Sequence, residues 1–194
     1  YPRDMDRDAA LCEKAGASLI FHPEPEEMYD DNFSSFVDMN TLTGGLCGKT
    51  RPIHFRGVCT VVAKLFNIVT PDRAYFGQKD AQQLAVIRHM VNDLSFGIEI
   101  VGCPIIREED GLAKSSRNTY LSEDERKAAL VLSRSLKEGR KLVEDGEKDA
   151  AKVKKTITDI IEKEALAKID YVEVVDWNTL EPVEKIDGPV LTAI

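Results

Sequence analysis

A chain of 194 residues with 43% hydrophobic and 31% charged content has material for one large domain or two small ones with a substantial core. Its net charge of −8 excludes broad binding to nucleic acid or acidic membranes, which depends on an excess of Lys and Arg, so any anion site is a local exception.

Asp4 to Ala15 reads as a helix stopped by Gly16, with Ala9, Ala10, Leu11 and Ala15 available for burial. Ser18 to Phe21 then reads as a short buried strand leading to His22-Pro23. The acidic run Glu24 to Asp31 suggests a short surface helix or turn, and Ser35 to Val37 a brief strand. Glycines 44, 45 and 48 mark a flexible loop, after which Lys49, Arg51, His54 and Arg56 make the richest basic patch of the chain. Val58, Val61, Val62, Leu65, Phe66 and Val69 keep helical spacing up to Thr70-Pro71.

The next stretch organises the rest. The apolar run Ala74 to Phe76 reads as a buried parallel strand that stops at Gly77, where the polar group Gln78, Lys79, Asp80, Gln82 and Gln83 begins. Asp80 and Gln83 have the spacing of a capping box for a helix whose apolar stripe runs from Leu84 to Leu94. Lys79 stands at the mouth of that helix, where free amide hydrogens and the helix dipole favour an anion such as phosphate.

Ile98 to Gly102 is a further strand, so three helix-strand steps imply a mainly parallel sheet with helices on its faces, an α/β fold. Beyond a turn at Arg107 to Gly111, Lys114, Ser115, Ser116 and Arg117 gather hydroxyls and cations suited to phosphate oxygens. Ser122 and Glu125 form a capping box opening a long helix to about Glu144, ended by Asp145-Gly146. Ala150 to Ala167 reads as a second amphipathic helix, and Ile169 to Val175 and Val190 to Ile194 as strands. The pattern changes after Pro104, so residues 1–104 are expected to form an α/β domain and residues 105–194 a smaller α+β domain.

Cys12, Cys47, Cys59 and Cys103 contain no C-x-x-C pair, and His22, His54 and His89 no H-x-x-x-H spacing. Reduced thiols in a cytoplasmic protein, with no metal ligands, are the expectation. No apolar run approaches the roughly 18 residues of a membrane helix. The chain opens on Tyr1-Pro2-Arg3 and stops within the apolar run Pro189 to Ile194, so a piece of a longer protein is expected.

With both polar clusters in view, the chain resembles the pantoate–β-alanine ligase (pantothenate synthetase) family. The words that carry the likeness are Tyr1-Pro2-Arg3, Arg51-Pro52-x-His54-Phe55-x-Gly57-Val58, Tyr75-Phe76-Gly77-x-Lys79-Asp80-x-Gln82-Gln83, and Arg107-x-x-Asp110-Gly111-Leu112-Ala113-x-Ser115-Ser116-Arg117-Asn118. The resemblance implies a partial Rossmann-like nucleotidyltransferase sheet followed by a smaller lid domain, a homodimer, and ATP with Mg2+ driving condensation of pantoate with β-alanine through a pantoyl adenylate.

It also implies roles: Gly77, Gln78, Lys79, Asp80, Ile106 (through its backbone), Lys114, Ser115, Ser116 and Arg117 on ATP, with Lys79, Ser115, Ser116 and Arg117 serving catalysis. Gln83, His54 and Tyr1 fall to the acid and amine substrates. Lys114 departs from relatives that carry an apolar residue there. The family's histidine motif, which holds the general acid, does not occur in these residues, so weak or no catalysis by this chain alone is the expectation. Alternatives are another nucleotidyltransferase of the same fold, or a non-catalytic binding or dimerisation module.

Overall fold

A computed structural model describes residues 4–194, which fall into two compact units. One runs up to Ser35 and takes in Ser115–Tyr120; the other comprises Phe36–Lys114 and Leu121–Ile194.

In the first unit, helix α1 (Met5–Lys14) is capped by Asp4, whose carboxylate accepts the Arg7 amide hydrogen at 3.1 Å. None of its residues is buried, so the alanines expected inside are not. Ser18 to Phe21 is not a strand either: Leu19 is 80% exposed. Apolar content alone does not make a strand, which needs a neighbour to take its backbone hydrogen bonds. A short helix, α2 (Pro25–Met28), closes its own capping box through Glu24 and Glu27, as the acidic run suggests.

In the second unit, α3 (Cys47–Thr50) precedes α4 (His54–Val69), which begins one turn before the expected Val58 because Phe55 extends the stripe of Cys59, Ala63 and Phe66. Ser35 to Val37 forms no strand; the Val37 amide donates to the Thr60 hydroxyl instead, at 3.0 Å. Strand β1 (Arg73–Gly77) pairs in parallel with β2 (Glu99–Cys103), Gly77 lying opposite Cys103. Helix α5 (Ala81–Asp93) joins them, making one β-α-β crossover.

Among the described residues this parallel sheet has two strands, and β1 is only half-buried on alternate residues rather than buried throughout. Phe66 of α4 meets Phe76 of β1 edge-on at 6.4 Å and Phe96 at 5.8 Å, which seats the helix on the sheet. Leu84, Val86, Ile87, Met90 and Val91 of α5 are buried as their spacing predicts, whereas Leu94 is exposed.

Beyond β2 come α6 (Glu123–Glu144), α7 (Ala150–Ile161) and an antiparallel pair, β3 (Glu173–Asp176) with β4 (Val190–Ala193). The second helix stops short of Ala167, where Glu162, Lys163 and Glu164 interrupt the apolar period. Val153, Ile157 and Ile161 of α7 bury against Val131, Val172 and Val174, forming a second hydrophobic cluster beside the one around α4 and α5. Gly139 lets α6 and α7 approach closely, since a Cβ there would stand 2.5 Å from Ile157 Cδ1.

Candidate active site

Parallel strands present their carboxyl ends on one edge, and open α/β sheets bind ligands just outside that edge. Gly77 and Cys103 end β1 and β2 side by side, so the chain leaves both strands from the same edge, towards Lys79 in one case and Ile106 in the other. Gln78–Asp80 makes a single 3-10 turn before α5 begins at Ala81.

The expected capping box does not form. Asp80 occupies the cap position, but its carboxylate takes no amide hydrogen from α5; the inserted 3-10 turn changes its backbone angles and turns it towards Lys79, at 3.5 Å. Both side chains are open to solvent, so this ion pair is weak and leaves the ammonium available. The side-chain amide of Gln83 takes no partner among the described residues. A helix entrance with an uncommitted cation, carboxylate and amide can receive a polyanionic ligand and a hydroxylated one together.

The expected flexible loop is instead tied down. Gln82, buried next to these groups, donates one amide hydrogen bond to the Leu42 carbonyl and one to the Gly45 carbonyl, both at 2.9 Å, while its oxygen accepts the Cys47 thiol hydrogen at 3.1 Å. Burial pushes the Cys47 thiol up, against an opposing pull from Arg51, so it remains a protonated donor. The fields of Arg51, Asp80 and Asp170 reach Cys47 and also Tyr171, whose hydroxyl burial raises. Thus the loop after Leu42, the α5 entrance and the Asp170-Tyr171 segment converge.

Sequence reasoning missed Gln82 as an organising group, and Asp170 and Tyr171 as neighbours. A signal existed for Gln82: it stands four residues before Val86, in the buried stripe of α5, where a polar side chain must find partners.

His54 opens α4, half-buried, its ring edge-on to Phe55 at 5.0 Å. Ile106 is exposed and its carbonyl accepts the Lys114 amide hydrogen at 2.9 Å, closing a hairpin whose turn is fixed by Gly111 at φ +95°. Asp110 of that hairpin pairs with Arg126 of α6 at 2.7 Å, and Lys114 projects to solvent. In the first unit, Ser115 accepts the Arg117 amide hydrogen at 3.3 Å, and Ser116 and Arg117 open a 3-10 turn (Ser116–Tyr120) with their side chains exposed. Tyr1 lies outside the described residues.

A family model described as pantoate-beta-alanine ligase matches residues 1–194. A protein of Clostridium acetobutylicum named pantothenate synthetase is 63% identical over 194 residues, which are all of this chain and 69% of that protein. The pantothenate synthetase of Caldicellulosiruptor saccharolyticus is 58% identical with the same coverage. A solved structure of pantothenate synthetase from Thermus thermophilus matches with a TM-score of 0.94 at 46% identity, covering 98% of this chain and 69% of that one. Pantoate-beta-alanine ligase from Francisella tularensis, solved with beta-gamma ATP and beta-alanine, matches with a TM-score of 0.73 at 27% identity, covering 89% and 62%. The β-α-β crossover with its flanking helices is accordingly the α/β, nucleotidyltransferase-like fold that the sequence predicts. Matched along its whole length by the family model and at this level of identity, the chain belongs to the pantoate–β-alanine ligase family.

Proposed function

We propose that this ligase condenses pantoate with β-alanine at the expense of ATP, in two steps. A carboxylate oxygen of pantoate attacks the α-phosphorus, pyrophosphate leaves, and a pantoyl adenylate results. The neutral amine of β-alanine then attacks the acyl carbon; the carbon–oxygen bond breaks, AMP leaves with that oxygen, and the amine proton passes to solvent or a nearby base. The observation that carries this reading is Lys79 with Asp80 and Gln83, uncommitted to capping, at the carboxyl edge of a parallel strand pair.

The first step brings a carboxylate onto a triphosphate, so positive charge must offset the repulsion as negative charge grows on the leaving pyrophosphate. Lys79 supplies it at the α5 entrance, and Ser115, Ser116 and Arg117 supply hydroxyls and a guanidinium for phosphate oxygens. Gly77 and Asp80 serve the ribose, Gln78 the same nucleotide, and the Ile106 backbone the adenine. Gln83 hydrogen-bonds pantoate and His54 serves the acid and amine, a role the family resemblance extends to Tyr1. Lys114 adds charge near the nucleotide.

Magnesium enters with the triphosphate, whose oxygens suit that ion. The proposal extends to a nucleotide domain over residues 1–104 and a smaller domain over 105–194, as the change of sequence pattern after Pro104 suggests, and to a cytoplasmic homodimer.

Pantoate labelled with 18O in its carboxyl group tests the route: one label is expected in the phosphate of AMP, with AMP formed in step with amide. Label in inorganic phosphate, or none transferred, would overturn the adenylate. No heat on mixing with millimolar ATP, together with a dimer on a sizing column, points to the binding-module alternative.

A further inference from the structure

The loop from Leu42 to Thr50 is held in a conformation its sequence does not favour. Leu46 is buried with φ 50° and ψ −132°, a region that side chains with a Cβ rarely adopt and that persists only where the surroundings impose it. Two residues on, Gly48 packs so tightly that a Cβ would stand 1.9 Å from the Thr43 carbonyl oxygen. The constraint comes from α5. The two carbonyls that Gln82 binds, those of Leu42 and Gly45, lie just before the strained residue, and the Cys47 thiol that it accepts from lies just after.

Gln82 is 6% exposed, and its donors and its acceptor are all engaged across 35 to 40 residues of chain. Three bonds of this kind replace water that a buried amide would otherwise lack, so none is dispensable without leaving a polar group unpaired. The loop they hold runs directly into Arg51 and His54, and the fields of Arg51 and Asp80 act on the same thiol. Asp80 and Gln83 sit on either side of Gln82 in sequence.

We infer that Gln82 is a positioning residue, clamping the strained loop 42–50 onto the first turn of α5 so that Arg51 and His54 are delivered to the acid-binding side of the site. It touches no substrate; it fixes the distance between two elements that do. The inference rests on the functional reading given above, and it deepens that reading by adding a residue that sets affinity for the carboxylic acid substrate.

Two variants displace the loop by different means. Gln82→Met keeps the volume and removes every hydrogen bond; Gly48→Ala leaves Gln82 intact and drives a methyl group into the Thr43 carbonyl. Both are expected to weaken pantoate binding by tenfold or more in calorimetry, and to raise the KM for pantoate likewise wherever turnover is measurable, with a smaller change in kcat. Backbone amides of 42–50 should exchange with deuterium at least tenfold faster in the absence of any substrate. Should Gln82→Met fail to fold, Gly48→Ala carries the test.

Variants that melt at lower temperature but keep the affinity for pantoate and the exchange rates of 42–50 would reduce Gln82 to a packing residue and overturn the inference. A wild-type chain that binds neither ATP nor pantoate in calorimetry would overturn the functional reading itself, and with it the substrate-binding consequence of the clamp, while the exchange rates would still decide whether the clamp exists.

Discussion

Two helices in this molecule begin with the same kind of sequence and use it differently. Ser122 and Glu125 open α6: the serine hydroxyl accepts the Glu125 amide hydrogen at 3.3 Å, and the glutamate carboxylate accepts the Ser122 amide hydrogen at 2.8 Å. Asp80 and Gln83 have equal spacing at α5, yet neither bonds the helix. At α6 the polar side chains are spent on structure; at α5 they are left over, with Lys79 between them and the strand. A helix entrance that forgoes its cap gives up about 1 kcal/mol of stability, which is why the proposal places a ligand there.

The sharpest way to break this contrast is Lys79→Ala. Loss of one cation aimed at developing phosphate charge is expected to lower kcat/KM by about 10²- to 10³-fold, with the melting temperature unchanged because the side chain is exposed. Equal activity, or a loss of stability instead, would place Lys79 with ordinary surface lysines. Asp80→Ala should weaken ATP binding by roughly tenfold or more in calorimetry, again without a change in melting, since no cap bond is lost.

The matching change at α6, Ser122→Ala, should do the reverse. Activity stays near the wild-type value while unfolding in urea reports a loss of about 0.5 to 2 kcal/mol. A smaller effect sharpens the contrast through pH. The hydrogen bond from the Ser122 backbone holds the Glu125 carboxyl below the usual carboxylate range. Its contribution is therefore present above the ordinary glutamate value of about 4.3 and lost as pH falls through the lower folded value. The stability gap between wild type and Glu125→Ala should close in that acid window and stay constant above it.

How much of this was legible in the sequence follows from how far each interaction reaches. The α6 cap was legible because both partners lie within four residues. The β1–β2 pairing was legible in outline, because an apolar run, a glycine and an amphipathic helix specify a parallel crossover. Ser18 to Phe21 misled because an apolar run carries no information about whether a neighbouring strand is there to pair with it. The α5 entrance misled more usefully: the 3-10 turn that carries Asp80 off the helix axis is a backbone detail that residue spacing does not encode. Gln82 was the hardest to assign, since its partners lie 40, 37 and 35 residues away and two of them are backbone carbonyls, which have no sequence signature. The expectation of a flexible glycine loop failed for the same reason: glycine at 48 serves close packing there, not freedom.

The central claim is that the uncapped turn at the start of α5 receives the nucleotide. Its most direct test is an NMR titration of the protein with ATP, following the backbone amides from Gly77 to Gln83 alongside those from Ser122 to Glu125. Large saturable shifts confined to the first set, and abolished in Lys79→Ala, are predicted; nucleotide binding that leaves those amides unmoved would contradict it.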